Sequence, residues 1–125
     1  MRTTVEAASG DELVRLILGA RERTALIDSP ACFAGLKAFA PGEVFENHFH
    51  EHYDEFFAVI TGEVVVWQGR ASHTVLSAGS TLLCPRGSHH RLANERDAPA
   101  VLLYVKTPYV ADDTHWVPWA PGVQE

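Results

Sequence analysis

Seven histidines stand in a chain of 125 residues, and five of them crowd into two short stretches, His48, His50 and His52 in ENHFHEHYDE and His89 and His90 in GSHHRLAN. His48 and His50 are two apart, so on an extended strand both imidazoles leave the same face. Glu55 follows after a short polar link and opens EFFAVI, where Glu55, Phe57 and Val59 share one face and Phe56, Ala58 and Ile60 the other. An antiparallel return of the chain after His50 would set Glu55 beside both histidines. Further on, Pro85 and Gly87 make a turn, and His90 enters a strand with Leu92 and Asn94 on its side. Three neutral imidazoles and one carboxylate suit a single divalent transition metal ion, whether iron, manganese, nickel, copper, cobalt or zinc. An octahedral ion held by four such ligands keeps two positions for water or substrate. Calcium is disfavoured, because it selects oxygen ligands.

Blander readings stand beside this one. His48 or His50 taken alone reads as an exposed histidine on an edge strand; the combination with Glu55 and His90 is what argues for a site. His52 shares the parity of His50 but falls in the polar link, which makes it a residue of the site rim able to contact substrate. His73 and His115 have no partners in sequence and read as surface residues. Arg86, Arg91 and Arg96 read as solvated, with the alternative that one binds a substrate carboxylate or phosphate. Phe45, Phe57, Trp67 and Tyr104 are expected inside the domain, as core packing or as the aromatic wall of a ligand pocket. Cys32 and Cys84 are too far apart for a zinc knuckle or redox pair and read as buried small hydrophobes, Cys84 with the alternative of a thiol near the site.

The elements that must position these groups are mostly strands. From residue 21 onward short apolar runs such as RTALID, CFAGLKAF, EVVVW, STLLC and AVLLYV alternate with turn signals at PGE, ITGE, WQGR, SAGS, PRGS and ERDAP. That rhythm predicts a β-sandwich or barrel rather than an alternating α/β sheet. Before it, Ser9 and Glu12 resemble a capping box, and Leu13, Leu16 and Ile17 recur at helical spacing up to Gly19, predicting a short N-terminal helix. The expected organisation is a helical extension over 1–20, a β-barrel over 21–106 and a tail over 107–125 that carries Trp116, Trp119, Pro118 and Pro121. Such a tail lies along its own barrel or reaches to another subunit.

Composition excludes several functions. The length suits one core. A formal net charge of −6, with no stripe of Lys or Arg, argues against nucleic acid and anionic lipid as partners. The N-terminal stretch lacks the apolar segment of a secretory signal and no apolar run reaches membrane-spanning length, so a soluble cytoplasmic protein is expected.

Residues 42–62 resemble the first motif of the cupin family, and Gly42, His48, His50, Glu55 and Gly62 fill each of its fixed positions. Residues 79–94 resemble the second, through Gly79, Pro85, Gly87, His90 and Asn94, with 16 residues between the motifs that read as a hairpin. The resemblance implies an all-β fold, the cupin double-stranded β-helix or jelly-roll barrel. It assigns metal ligation to His48, His50, Glu55 and His90, and favours His90 over His89, which strand alternation turns away. It also implies a metal-dependent enzyme on a small polar organic molecule, of dioxygenase, isomerase or lyase type, with a non-catalytic ligand- or metal-sensing module as the alternative. A homodimer is expected on the same ground.

Overall fold

Runs rich in Val, Phe, Leu and Thr, each closed by a glycine or proline turn, become strands in the computed structural model, which describes residues 3–4 and 24–119. In chain order these are β1 (Thr3–Thr4), β2 (Thr24–Asp28), β3 (Phe33–Phe39), β4 (Val44–Phe49), β5 (Asp54–Thr61) and β6 (Glu63–Trp67). There follow β7 (His73–Ser77), β8 (Thr81–Cys84), β9 (His90–Ala93), β10 (Ala100–Thr107) and β11 (His115–Trp116). The described residues contain no helix, and none therefore long and apolar enough to cross a membrane. The helix expected between Ser9 and Gly19 lies outside them.

Two sheets result, one ordered β1-β2-β3-β10-β5-β8 and the other β11-β4-β9-β6-β7. Apart from the short parallel β1–β2 contact, every pairing is antiparallel. The fold is the all-β one expected. The segment between the two sequence motifs forms the β6–β7 hairpin, with Glu63 opposite Ser77 and Trp67 opposite His73.

Burial follows the period of two that a half-buried strand requires. Along β5 the side chains of Glu55, Phe57 and Val59 are buried while Phe56, Ala58 and Ile60 are not. Between the sheets they meet Phe33, Phe39, Val64, Val66, Leu76, Leu92 and Leu102, which form the main core. Burying each such side chain stabilises the fold by roughly 1.5–3 kcal/mol. A smaller cluster, Leu36 and Val101 with Leu26, Ala38 and Leu103 around them, occupies the opposite face of β2, β3 and β10.

The first and last residues of the paired motifs hold the barrel together. The Gly42 amide donates to the Asn94 carbonyl at 2.9 Å, and the Asn94 amide donates to Glu43 at 3.0 Å. Buried Asn94 also donates from Nδ2 to the carbonyls of Phe39 (3.1 Å) and Ala98 (2.9 Å), and accepts at Oδ1 from the Arg96 amide at 3.0 Å. Gly62 turns β5 into β6 with φ of +77°, and a Cβ there would lie 2.7 Å from the Pro99 carbonyl oxygen. Gly42 has φ of +81° but open space around it. Gly62→Ala is therefore expected to lower stability by about 2–4 kcal/mol, strain and clash together, and Gly42→Ala by about 1–2 kcal/mol from strain alone. Urea denaturation of the two variants checks the order; equal losses would contradict it.

The described part of the tail, residues 107–119, lies along its own barrel. β11 pairs with β4, with His115 opposite Phe49 and Trp116 opposite His48. Asn47 and Val117 then exchange bonds, the Val117 amide to the Asn47 carbonyl at 2.9 Å and Asn47 Nδ2 to the Val117 carbonyl at 3.0 Å. Trp119 is buried edge-on to Trp67, with the Arg70 and Arg91 guanidinium groups over its ring.

Candidate metal centre

β4 and β9 are neighbours in one sheet, and β5 lies in the other. Inward parity on β4 points His48 and His50 into the barrel, and His90 at the start of β9 sits opposite His48. Glu55 does not reach them by a hairpin return: the link over 50–53 crosses between sheets, so the carboxylate faces the imidazoles across the barrel. All four side chains are buried, and one ligand atom from each lies within 4.8 Å of every other. Among the described residues this is the one such group, and it could hold a metal ion.

Hydrogen bonding decides which nitrogen each ring presents. A carbonyl oxygen only accepts, so a ring nitrogen bonded to one must carry the hydrogen. Nδ1 of His48 donates to the Glu46 carbonyl at 2.7 Å, Nδ1 of His50 to the Asp113 carbonyl at 2.9 Å, and Nδ1 of His90 to the Ser88 carbonyl at 3.3 Å. A neutral ring so bonded has its lone pair on Nε2, the arrangement in which a metal-ligating histidine is oriented by its outer partner. His50 Nε2 lies 3.0 Å and His90 Nε2 3.3 Å from the same oxygen, Glu55 Oε1. With Nδ1 committed, those contacts need a positive charge between lone pairs, from a second proton on the ring or from a metal cation.

The surroundings fix the charge states of His48 and Glu55. Burial, followed by the neighbouring His90, pushes the His48 pKa down to about 3, so this imidazole is neutral. Burial alone would raise the Glu55 carboxyl, but its contacts with the His50 and His90 rings and the Lys106 charge outweigh it. They hold the group well below the usual carboxylate range, and it is ionised. Cys84, opposite Glu55 on β8, goes the other way. Burial and then the Glu55 charge push its thiol up to about 12, which makes it an inert core residue.

Tyr53 stacks on His50 at 4.2 Å between ring centroids, and Phe45 and Trp116 flank His48 at 4.9 and 5.2 Å. A cavity of about 90 Å³ opens beside this cluster. His48, His50 and Glu55 form one wall, and Phe39, Phe45, Phe57, Leu92, Leu102, Tyr104 and Thr114 the others, with Lys37 and Lys106 also facing it. Such a cavity holds several waters or one small organic molecule.

Several candidates from the sequence are placed elsewhere. His89 turns away and stacks on Phe49 (4.9 Å), bonded to Asn47 Nδ2. His52 is exposed and its Nδ1 lies 3.1 Å from Asp113 Oδ1, while His115 joins the same oxygen at 3.2 Å and stacks on the other side of Phe49. Arg86, Arg91 and Arg96 pair with Asp54, Glu46 and Glu63, none at the cavity. Trp67 packs on His73 and Trp119 instead of lining it. Cys32 is half-buried rather than buried.

Three residues were not anticipated. Lys37 and Lys106 are single charges at inward-facing positions of apolar strands, in step with Phe39 and Tyr104, and that parity was the available signal. Asp113 had none. Its carbonyl fixes His50, and its buried carboxylate accepts from the amides of Glu51 (3.2 Å) and His52 (2.8 Å), capping the link that carries the chain to Glu55. Burial would raise its pKa, but the His52 and Glu51 amides with the His52 and His115 rings bring it down to about 2. The unfolded chain therefore binds more protons than the native state between about pH 4 and 2, and the carboxylate's stabilisation is present above that window and lost on falling through it. The stability difference between wild type and Asp113→Asn should shrink as pH drops from about 4 towards 2. Urea titrations across that range check it, and a pH-independent difference would refute the assignment.

A family model described as "Cupin domain" matches residues 35–106, a stretch that includes all four candidate ligands and ends before the tail. The tetracenomycin polyketide synthase protein TcmJ of Streptomyces glaucescens is 30% identical over 76 residues, 61% of this chain and 50% of that protein. Protein SchB of Streptomyces halstedii is 33% identical over 72 residues, 58% of this chain and 51% of its own length. The chain thus spans about half the length of these two relatives. An uncharacterized conserved protein with a double-stranded β-helix domain from Klebsiella pneumoniae subsp. pneumoniae MGH 78578 superposes with a TM-score of 0.74 at 24% identity, over 92% of this chain and 99% of its own. That likeness shows the fold.

Proposed function

The chain belongs to the cupin domain family, and from that premise we propose that His48, His50, Glu55 and His90 bind one divalent transition metal ion in an enzyme acting on a small polar organic molecule. The observation that carries the reading is the orientation of the rings: three buried histidines have committed Nδ1 to backbone carbonyls, which leaves Nε2 of each for a ligand shared with Glu55. Donors of this kind, three nitrogens and a carboxylate, match iron, manganese, nickel, cobalt, copper or zinc. Bound there, the ion would supply Lewis acidity towards a substrate oxygen.

The protein's own part is to position and to exclude water. Glu55 stays ionised and neutralises part of the ion's charge. Backbone carbonyls from Glu46, Ser88 and Asp113 keep the rings from turning. Aromatic walls, with Lys37 and Lys106 among them, hold an organic molecule against the ligand side of the cavity. Isomerase, lyase and dioxygenase chemistry all fit that arrangement. The likeness to a polyketide synthase protein supports a substrate rich in carbonyl oxygens, which suits the first two.

Elemental analysis of untagged protein purified without chelator tests the proposal. Wild type is expected to hold close to one transition metal ion per chain, and a His50→Ala, His90→Ala double variant to hold none. Metal at 100 times its Kd should stabilise wild type by about 2.7 kcal/mol in urea denaturation, with no effect on the variant. Wild type that stays empty after anaerobic reconstitution with iron, or a variant that keeps its metal, would overturn the reading.

A further inference from the structure

Trp116 stands opposite His48 in the β11–β4 pair, and residues directly opposite in an antiparallel pair leave the same face of the sheet. On that face His48 is 3% exposed, yet Trp116 is 54% exposed. The interior face is therefore open to solvent at β11, which is the edge strand of its sheet. Resting on the metal reading above, we infer that Trp116 is a ligand-binding residue at the mouth of the cavity, and that the ligand is longer than the cavity and stacks a planar ring on this indole.

Contacts on one side fix the ring while the rest stays bare. The indole lies 5.3 Å from Phe45 and 5.2 Å from His48 between ring centroids, and both of those residues line the cavity. Its neighbour Val117 is tied to Asn47 by two hydrogen bonds, of 2.9 and 3.0 Å. A ring held in this way loses little freedom when a ligand lies against it. Exposed apolar side chains elsewhere do not share the position: Leu83 stands opposite Phe56, and Ile60 lies on the same side of β5 as Phe56, away from the core. Single aliphatic residues of that kind are ordinary on a protein surface. An exposed indole joined to a cavity wall extends the wall outwards.

The cavity sets how far a ligand reaches. Its volume of about 90 Å³ admits one small group beside the four candidate metal ligands, so a longer molecule emerges from it. The bare surface next to Phe45 and His48 is the Trp116 indole. Inside, Phe39, Phe45, Phe57 and Tyr104 offer ring faces, and outside the indole offers another. Aromatic pairs gain beyond the area they bury, which favours a planar ring over a saturated one at the outer end. Trp116 stands outside residues 35–106, so this contact comes from the tail rather than from the matched domain.

Calorimetry with zinc-loaded full-length protein tests this, using phenol as a probe of the cavity alone and 4-phenylphenol, which adds a second planar ring. Wild type is expected to bind 4-phenylphenol about ten-fold more tightly than phenol, and several-fold more tightly than its saturated analogue 4-cyclohexylphenol. Trp116→Ala should lose about ten-fold in 4-phenylphenol affinity and less than about two-fold for phenol, while Trp116→Phe keeps most of the preference. A tryptophan that served only to seat His48 would move both probes together. Iodide quenching of tryptophan fluorescence gives a second readout: 4-phenylphenol should shield wild type but not Trp116→Phe. Equal 4-phenylphenol affinity in wild type and Trp116→Ala, parallel losses for both probes, 4-cyclohexylphenol bound as well as 4-phenylphenol, or no binding at all would overturn the inference. So would light scattering that finds a wild-type dimer and a Trp116→Ala monomer, since the indole would then belong to a second copy. Zinc content is read on each sample: zinc present with no effect of Trp116 refutes this inference alone, and zinc absent with 4-phenylphenol still bound through Trp116 refutes the metal reading alone.

Discussion

A carboxylate buried against imidazole nitrogens whose other nitrogens are already spent is the constraint on which this structure turns. Leaving Glu55 ionised in the barrel without compensation would cost several kcal/mol, since burying an unpaired charge is among the most expensive things a fold can do. Lys106 lends part of the compensating charge, His48 is held neutral, and His50 and His90 bring their Nε2 atoms to Glu55 Oε1. Backbone carbonyls have fixed the hydrogen on Nδ1 of all three rings. On the proposed reading, a cation at the meeting point of the Nε2 atoms and Glu55 would answer to both the chemistry of the donors and the physics of burial.

The surrounding structure serves that point. Two sheets are needed because the four candidate ligands come from both, His48, His50 and His90 from one and Glu55 from the other. The crossing link between His50 and Glu55 needs a cap, and the cap comes from the tail, beyond the family-matched stretch. Asp113 holds the link amides with its carboxylate and the His50 ring with its carbonyl, while Trp116 covers His48. Residues far from the ligands in sequence thus set their orientation, and a barrel cut at the end of the matched domain would keep its four ligands and lose the group that aims one of them.

Much of this was legible in the chain itself. The grouping of His48, His50, Glu55 and His90 could be read because strand alternation puts residues two apart on one face and because the paired glycine, proline and asparagine positions have separate jobs in the fold, as Gly62 and Asn94 show. The β6–β7 hairpin and the all-β class followed from the same alternation. The route of Glu55 was not legible, since local pattern does not say whether a turn returns within a sheet or crosses to another. Asp113 was hidden for a related reason: its partners are at 50–52, and a contact across some sixty residues leaves no local trace. Lys37 and Lys106 were visible by parity, but a lone charge on an apolar strand looks the same whether it faces a cavity or the solvent.

The most direct test is a crystal structure of the metal-loaded protein with anomalous scattering recorded at the absorption edge of the bound element. The account predicts a single peak inside the barrel, bonded to Nε2 of His48, His50 and His90 and to a carboxylate oxygen of Glu55, with each Nδ1 still donating to its carbonyl. A peak ligated through Nδ1, one that omits Glu55, or one at the exposed His52 and His115 instead, would contradict it.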